Sequence, residues 1–222
     1  MWPEAALALI ALVAALAARP WRLLASGKPL AHETYGAPSA LWTPLLATLV
    51  FLPWLWALPT LHAMPLQLQM SGACLVVLML GWPLAVPVLI GVGIVACLIS
   101  PAMAWADALG AIVWLGVVPA TLALGLGALV RRYTGTKPFV YVLGRAFLGT
   151  VACVFAAGAL SQWSGRLLPG VGDELSLVAR WLMAWGDGFV TGMLAAIFVA
   201  YKPEWLATWS DRLYLARPID PK

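Results

Sequence analysis

Charges are missing from long stretches of this chain. From Ala108 to Val130 there is no Asp, Glu, Lys or Arg. An apolar run of that length reads as a bilayer-spanning helix, because ~20 residues at a rise of ~1.5 Å cross a ~30 Å hydrocarbon core. The rest of the chain repeats the pattern. Of 222 residues, 63% are hydrophobic and 10% charged, too few polar groups to coat a soluble domain. Membrane β-strands would alternate apolar and polar residues over about 10 positions, whereas these runs are continuously apolar. The sequence therefore specifies an all-α, polytopic transmembrane bundle surrounded by lipid.

Threading the apolar runs gives a single membrane domain over 1–222 with about seven spans: 3–18, 42–60, 69–81, 84–100, 108–130, 138–160 and 175–201. Residues 202–222 form a polar tail. The third span is short for a bilayer. Pro53 and Pro59 are expected to kink or end the second, since proline removes an amide from the helix ladder. Glu4 precedes the first apolar run, while Arg19 and Arg22 follow it. That is the reverse of a signal peptide's charge order, so the run is expected to be retained as a span.

The 13 basic residues fix an expected direction. Three lie between the first and second spans (Arg19, Arg22, Lys28). Three follow the fifth (Arg131, Arg132, Lys137), and four follow the seventh (Lys202, Arg212, Arg217, Lys222). Only Arg166 falls in the opposite set of loops, and Arg145 and Arg180 lie within spans. Basic loops stay cytoplasmic, so the reading is N-out, C-in. Trp2, Trp21, Trp42, Trp82, Trp105, Trp163 and Trp205 stand near span ends, where indoles anchor at the headgroup layer.

Several function classes drop out. The net charge of +4 belongs to topology; no basic cluster stands beside a nucleic-acid reading motif. Cys74, Cys97 and Cys153 sit in apolar runs without CxxC spacing, as small buried hydrophobes. There is no Walker-type loop, and two histidines on opposite sides of a membrane cannot build a Ser-His-Asp site. The chain is not expected to be an enzyme, and no intrinsic cofactor is expected.

The residues that could carry chemistry are few. Asp187 lies mid-way along the seventh span, where a lone carboxylate costs at least ~2.5 kcal/mol. It needs a partner, and Arg145 or Arg180 is the expected one. The plainer reading is a structural ion pair or a hydrogen-bonded carboxyl; the sharper one is a substrate or proton path. Gly188 and Gly192 flank the acid at four-residue spacing, which lets another helix approach closely. At the outer side, beside the start of the short third span, His62, Met64 and Met70 offer one imidazole and two thioethers, acceptable ligands for a soft or borderline metal such as copper. Methionine is common in apolar protein, so core packing competes with that reading.

Three segments resemble the energy-coupling-factor permeases of cobalt and nickel uptake (CbiM-like), in their shorter proteobacterial branch. The first is Gln69-Met70-Ser71-Gly72-Ala73 leading to Leu78-Met79-Leu80-Gly81-Trp82-Pro83-Leu84. The second is Phe139-Val140-Tyr141-Val142 with Ala146-Phe147-Leu148-Gly149. The third, and most specific, runs from Gly188-Phe189-Val190-Thr191-Gly192-Met193 to Tyr201-Lys202-Pro203-Glu204-Trp205, Asp211-Arg212 and Tyr214-Leu215. The resemblance implies a seven-helix substrate-capture component of an ABC-type importer. Its partners would be a transmembrane coupling subunit and cytoplasmic ATPases, and its substrate a transition-metal ion (nickel, cobalt or copper). The expected substrate-binding set is Gln69, Ser71, Asp187 and Arg145.

The chain departs from the metal-uptake members at known ligand positions. It begins Met1-Trp2-Pro3-Glu4 rather than Met-His, and Gln69 stands where the family has a second histidine. Arg145 stands where the short branch often has Asn. His62, Met64 and Met70 would be the substitute metal ligands. The alternative expectation is a non-transporting accessory subunit, packed in a larger host membrane complex, that keeps the permease fold.

Overall fold

The structure, a computed structural model, describes residues 2–25, 39–61, 69–135, 137–166, 168, 171–210 and 214, with Asp173 described by its backbone alone. Among the described residues there are helices and no strands. In chain order they are α1 (Trp2–Ala17), α2 (Trp21–Ala25), α3 (Trp42–Leu61), α4 (Ala73–Leu80), α5 (Trp82–Ile99), α6 (Trp105–Ala111), α7 (Val118–Thr134), α8 (Gly149–Trp163) and α9 (Asp173–Tyr201). A π-helical stretch, Ile112–Val117, joins α6 to α7, and another, Val140–Leu148, runs into α8.

Five helices are long and apolar enough to cross a bilayer: α3, α5, the continuous Trp105–Thr134 rod, the Val140–Trp163 rod and α9. Helix α1 has 16 residues and α4 only 8. The outward faces carry large apolar side chains, including Leu46, Val50, Phe51 and Trp54 on α3 and Leu182, Phe189 and Met193 on α9. A water-soluble protein does not present such contiguous apolar surface; hydrocarbon is the solvent it fits.

Pro53 and Pro59 do not end α3, which continues to Leu61. Threonines fold their hydroxyls back onto nearby carbonyls, Thr48 Oγ1 to Pro44 O at 2.7 Å and Thr60 Oγ1 to Ala57 O at 2.7 Å. Such side-chain bonds help satisfy a backbone that lipid cannot serve.

The helix ends sort into two levels. One, here the upper end, gathers the N-termini of α1, α6 and α9 with the C-termini of α3, α5 and α8. Glu4 meets Trp114 and Arg166 there, and Thr60 Oγ1 lies 2.8 Å from Ser100 Oγ. At the lower end, the chain after α9 meets the C-terminus of α4, with Ala207 N to Met79 O at 2.9 Å and Thr208 Oγ1 to Leu78 O at 2.9 Å.

Helix α9 organises the bundle. Its inward stripe is small or polar: Ser176, Ala184, Asp187, Gly188, Thr191, Gly192 and Ala195 are all buried. Their three- and four-residue spacing is the helical period. Gly188 and Gly192 are the contact points with the start of α8 and the π-helical stretch ahead of it. A Cβ on Gly188 would fall on the Val151 side chain and lie 3.2 Å from the Phe147 carbonyl. One on Gly192 would lie 2.9 Å from Phe147 Cβ. The glycines are thus a packing device, as small residues at this spacing usually are.

Candidate functional site: a break in the backbone beneath an upper cavity

Where the sequence reading starts a third span at Gln69, residues 69–72 are non-helical and the helix starts at Ala73. The reason is local. Gly72 has φ 65°, a left-handed conformation that glycine adopts without penalty. A Cβ there would also sit 2.9 Å from Leu52 Cδ1. The eight residues of α4 span only ~12 Å, and the helix begins beside Asp187, the midpoint of the 29-residue α9. Its N-terminal amides are therefore far from either end of the bundle, where water cannot reach them.

Asp187 supplies what water would. Its Oδ2 accepts from Ser71 N at 2.7 Å and its Oδ1 from Gly72 N at 3.0 Å. The carboxylate also faces the positive end of the α4 dipole. Ser71 is held at every polar atom. Its carbonyl accepts from Trp56 Nε1 at 3.1 Å, and its hydroxyl donates to Leu115 O at 2.6 Å and accepts from Ala73 N at 3.2 Å. Pro119 has no N–H to give to the turn that precedes it, and Leu115 lies in that turn. Irregular backbone at this depth persists only where protein satisfies it; here α3, the π-helical stretch and α9 share the task.

This corrects the pairing expected for Asp187. Neither Arg145 nor Arg180 is its partner; two backbone amides are. Asp187 is 1% exposed and carries a structural cap.

Above the break lies a cavity of about 310 Å³, within the range of small-ligand sites. Its wall includes Gln69, Thr60, Asp107, Ser161, Arg166 and Arg180, with Trp56 and Leu115 shared with the Ser71 cluster and Met103, Met183 and Leu168 as apolar surface. Arg166 forms an ion pair with Glu4, donating from Nη2 to Oε2 at 2.8 Å, and Glu4 also accepts from Trp114 Nε1 at 3.0 Å. Gly110 makes room for that guanidinium: a Cβ there would collide with it. Arg180 is half-buried, and its Nη2 donates to the Arg166 carbonyl at 2.8 Å. Its stem lies against Gly158, where a Cβ would be 3.3 Å from Arg180 Cδ.

Arg145 lies elsewhere, at the lower level. Its guanidinium fits a notch at Gly127, where a Cβ would be 2.8 to 2.9 Å from Nε, Cζ and Nη2, and its Cζ lies 5.7 Å from the Tyr141 ring centroid. The adjoining space, bounded by Cys74, Gly127, Arg145 and Thr150, is about 10 Å³, too small for a substrate. The four expected substrate-binding residues are thus at three levels: Gln69 on the cavity wall, Ser71 and Asp187 beneath its floor, and Arg145 below them.

Of the expected metal ligands, His62 and Met64 lie outside the described residues. Met70 is half-buried in the non-helical stretch. Among the described residues, no three His, Cys, Asp or Glu side chains cluster as a metal site. Sequence reasoning gave no site role to Glu4, Asp107, Trp114, Arg166, Met103 or Met183. Glu4 carried a usable signal, since an acid one turn into an apolar helix needs a partner just as Asp187 does. No protein-family model, curated protein or solved structure matches this chain.

Proposed function

We propose that this chain is the substrate-capture subunit of an ATP-driven importer in a bacterial cytoplasmic membrane. In this reading α1 and the broken segment ending in α4 count as passes, giving seven, and the basic loops keep the lower end cytoplasmic. The upper cavity then faces outward. The observation that carries the proposal is that cavity, walled by Gln69 and lying over the Ser71–Asp187 cluster, with which it shares Trp56 and Leu115. Backbone broken at mid-membrane beside a cavity is a recurrent way to build transporter sites. The chain offers no phosphate-binding loop, so ATP would be hydrolysed by partner subunits, with a transmembrane coupling subunit between. The resemblance to the cobalt and nickel permeases supports the same reading and names a transition-metal ion as the substrate.

The use of Asp187 as a cap favours a second reading, in which the fold survives as an accessory subunit of a larger membrane complex. Purification of the tagged protein from native membranes in mild detergent separates the two. Co-isolation of an ATPase pair and a coupling subunit is the expected result; stoichiometric isolation with an unrelated membrane complex would overturn it. Calorimetric titration with nickel, cobalt and copper salts, repeated on His62→Ala and Met64→Ala, tests the metal assignment. Unchanged binding in both variants would remove those ligands.

A further inference from the structure

Arg180 is the one charged side chain on the cavity wall that is both half-buried and without an acidic partner among the described residues. Arg166 is neutralised by Glu4. Asp107 is exposed at the rim, where water and salt screen it. Arg180 donates one N–H to a carbonyl, and its Nε is buried with no hydrogen-bond partner. A guanidinium in an apolar bundle is costly unless its donors are met. Here the neighbouring helix carries Gly158 where any larger residue would crowd the arginine stem. The side chain is thus seated against α8, on the wall of a cavity large enough for a ligand.

We infer that this cavity binds a small molecule bearing a carboxylate or phosphate group, with Arg180 as the charge anchor. The inference rests on the capture reading and gives its substrate class. A guanidinium donates charge-assisted N–H bonds to oxyanions, and Arg180 gives only one N–H, from Nη2, to the Arg166 carbonyl. Gln69 and Thr60 supply neutral hydrogen-bonding groups on the same wall, and Met103, Met183 and Leu168 supply apolar contact. A bare divalent cation is repelled by Arg180, and the carboxylate on this wall, Asp107, is exposed and screened at the rim. A metal ion would enter as a complex with carboxylate ligands. The same oxyanion chemistry is offered by an anionic lipid headgroup, which the experiment has to separate.

The test uses the full chain in phosphatidylcholine nanodiscs, with thermal midpoint and calorimetry read for acetate, succinate, citrate, inorganic phosphate and nickel chloride alone. At least one of the four anions is expected to bind and raise the midpoint. Arg180→Met should weaken that binding tenfold or more, Arg180→Lys should retain part of it, and Arg131→Met should leave it unchanged. Gln69→Leu, which keeps the arginine seat intact, should weaken it several-fold. Absence of binding by all four anions, or binding unaltered in Arg180→Met and Gln69→Leu, overturns the inference. So does an Arg180-dependent midpoint rise seen only when phosphatidylglycerol replaces part of the lipid, which assigns the site to a headgroup. Co-isolated ATPases without anion binding would remove this inference and leave the capture reading. Arg180-dependent binding without ATPases would do the reverse.

Discussion

The upper and lower halves of this bundle treat half-buried arginine in the same way and with different results. Arg166 and Arg180 above, and Arg145 below, each lie against a glycine on a neighbouring helix: Gly110, Gly158 and Gly127. The missing side chain gives the guanidinium or its stem a seat. Above, the seats flank about 310 Å³ of space, whereas beside Arg145 there is about 10 Å³. The lower half is filled by aromatic packing. Trp209 and Tyr214 stack at 4.5 Å and 8°, Tyr141 meets both edge-on, and its hydroxyl lies 2.8 Å from Thr208 Oγ1. The same local motif therefore serves a vestibule in one half and a seal in the other. What differs is whether the chain supplies rings to fill the remaining volume.

Breaking the divide between the halves should have the largest effect. Asp187→Ala orphans two buried amides, each costing about 1–3 kcal/mol, so a loss of ~2–6 kcal/mol is expected. It should appear as a sharply lower thermal midpoint in detergent, with Asp187→Asn intermediate because one acceptor remains. An unchanged midpoint would show that the amides find other partners.

The glycine seats give a direct contrast. In Gly127→Ala the new methyl meets the guanidinium itself at 2.8 to 2.9 Å, and overpacking of this kind costs ~1–3 kcal/mol. In Gly158→Ala the Arg180 side chain can swing into the cavity, and less than ~1 kcal/mol should be lost. Equal midpoints for the two variants would erase the distinction drawn between the halves. A smaller effect, about 1 kcal/mol, is expected for Thr208→Val, which leaves the Leu78 carbonyl only the longer bond from the Thr208 amide and frees the Tyr141 hydroxyl; faster hydrogen exchange at the end of α4 would report it. Smallest is Glu4→Gln. It keeps acceptor geometry for Trp114 but gives up the charge on a partly exposed pair, worth up to ~1 kcal/mol, and its midpoint should become less sensitive to salt than that of the parent.

The sequence carries the membrane character of the fold openly, because a charge-free apolar run has few other stable homes. It hides the break at Ser71. Gln69-Met70-Ser71 looks like the start of a weak span, and what stops the helix is a glycine dihedral and a carboxylate 116 residues away. Asp187 was visible as an acid in need of a partner. Its partner was not, because charge pairing suggests lysine or arginine, whereas backbone amides have no letter in the sequence. The Glu4–Arg166 pair is hidden for a related reason: its members are 162 positions apart, and nothing local to either names the other. Gln69 reached the cavity wall through the resemblance; composition alone gave no reason to single it out.

Helix α4 is fastened at both ends to one other stretch of chain. Asp187 in α9 holds its first amides, and Ala207 and Thr208, just beyond α9, hold its last carbonyls. It behaves as a strut with two pins, unable to slide along its own axis without shedding hydrogen bonds at one of them. A push delivered to the stretch just beyond α9 therefore loads the bonds from Asp187 to Ser71 and Gly72, ~12 Å away, beneath the vestibule.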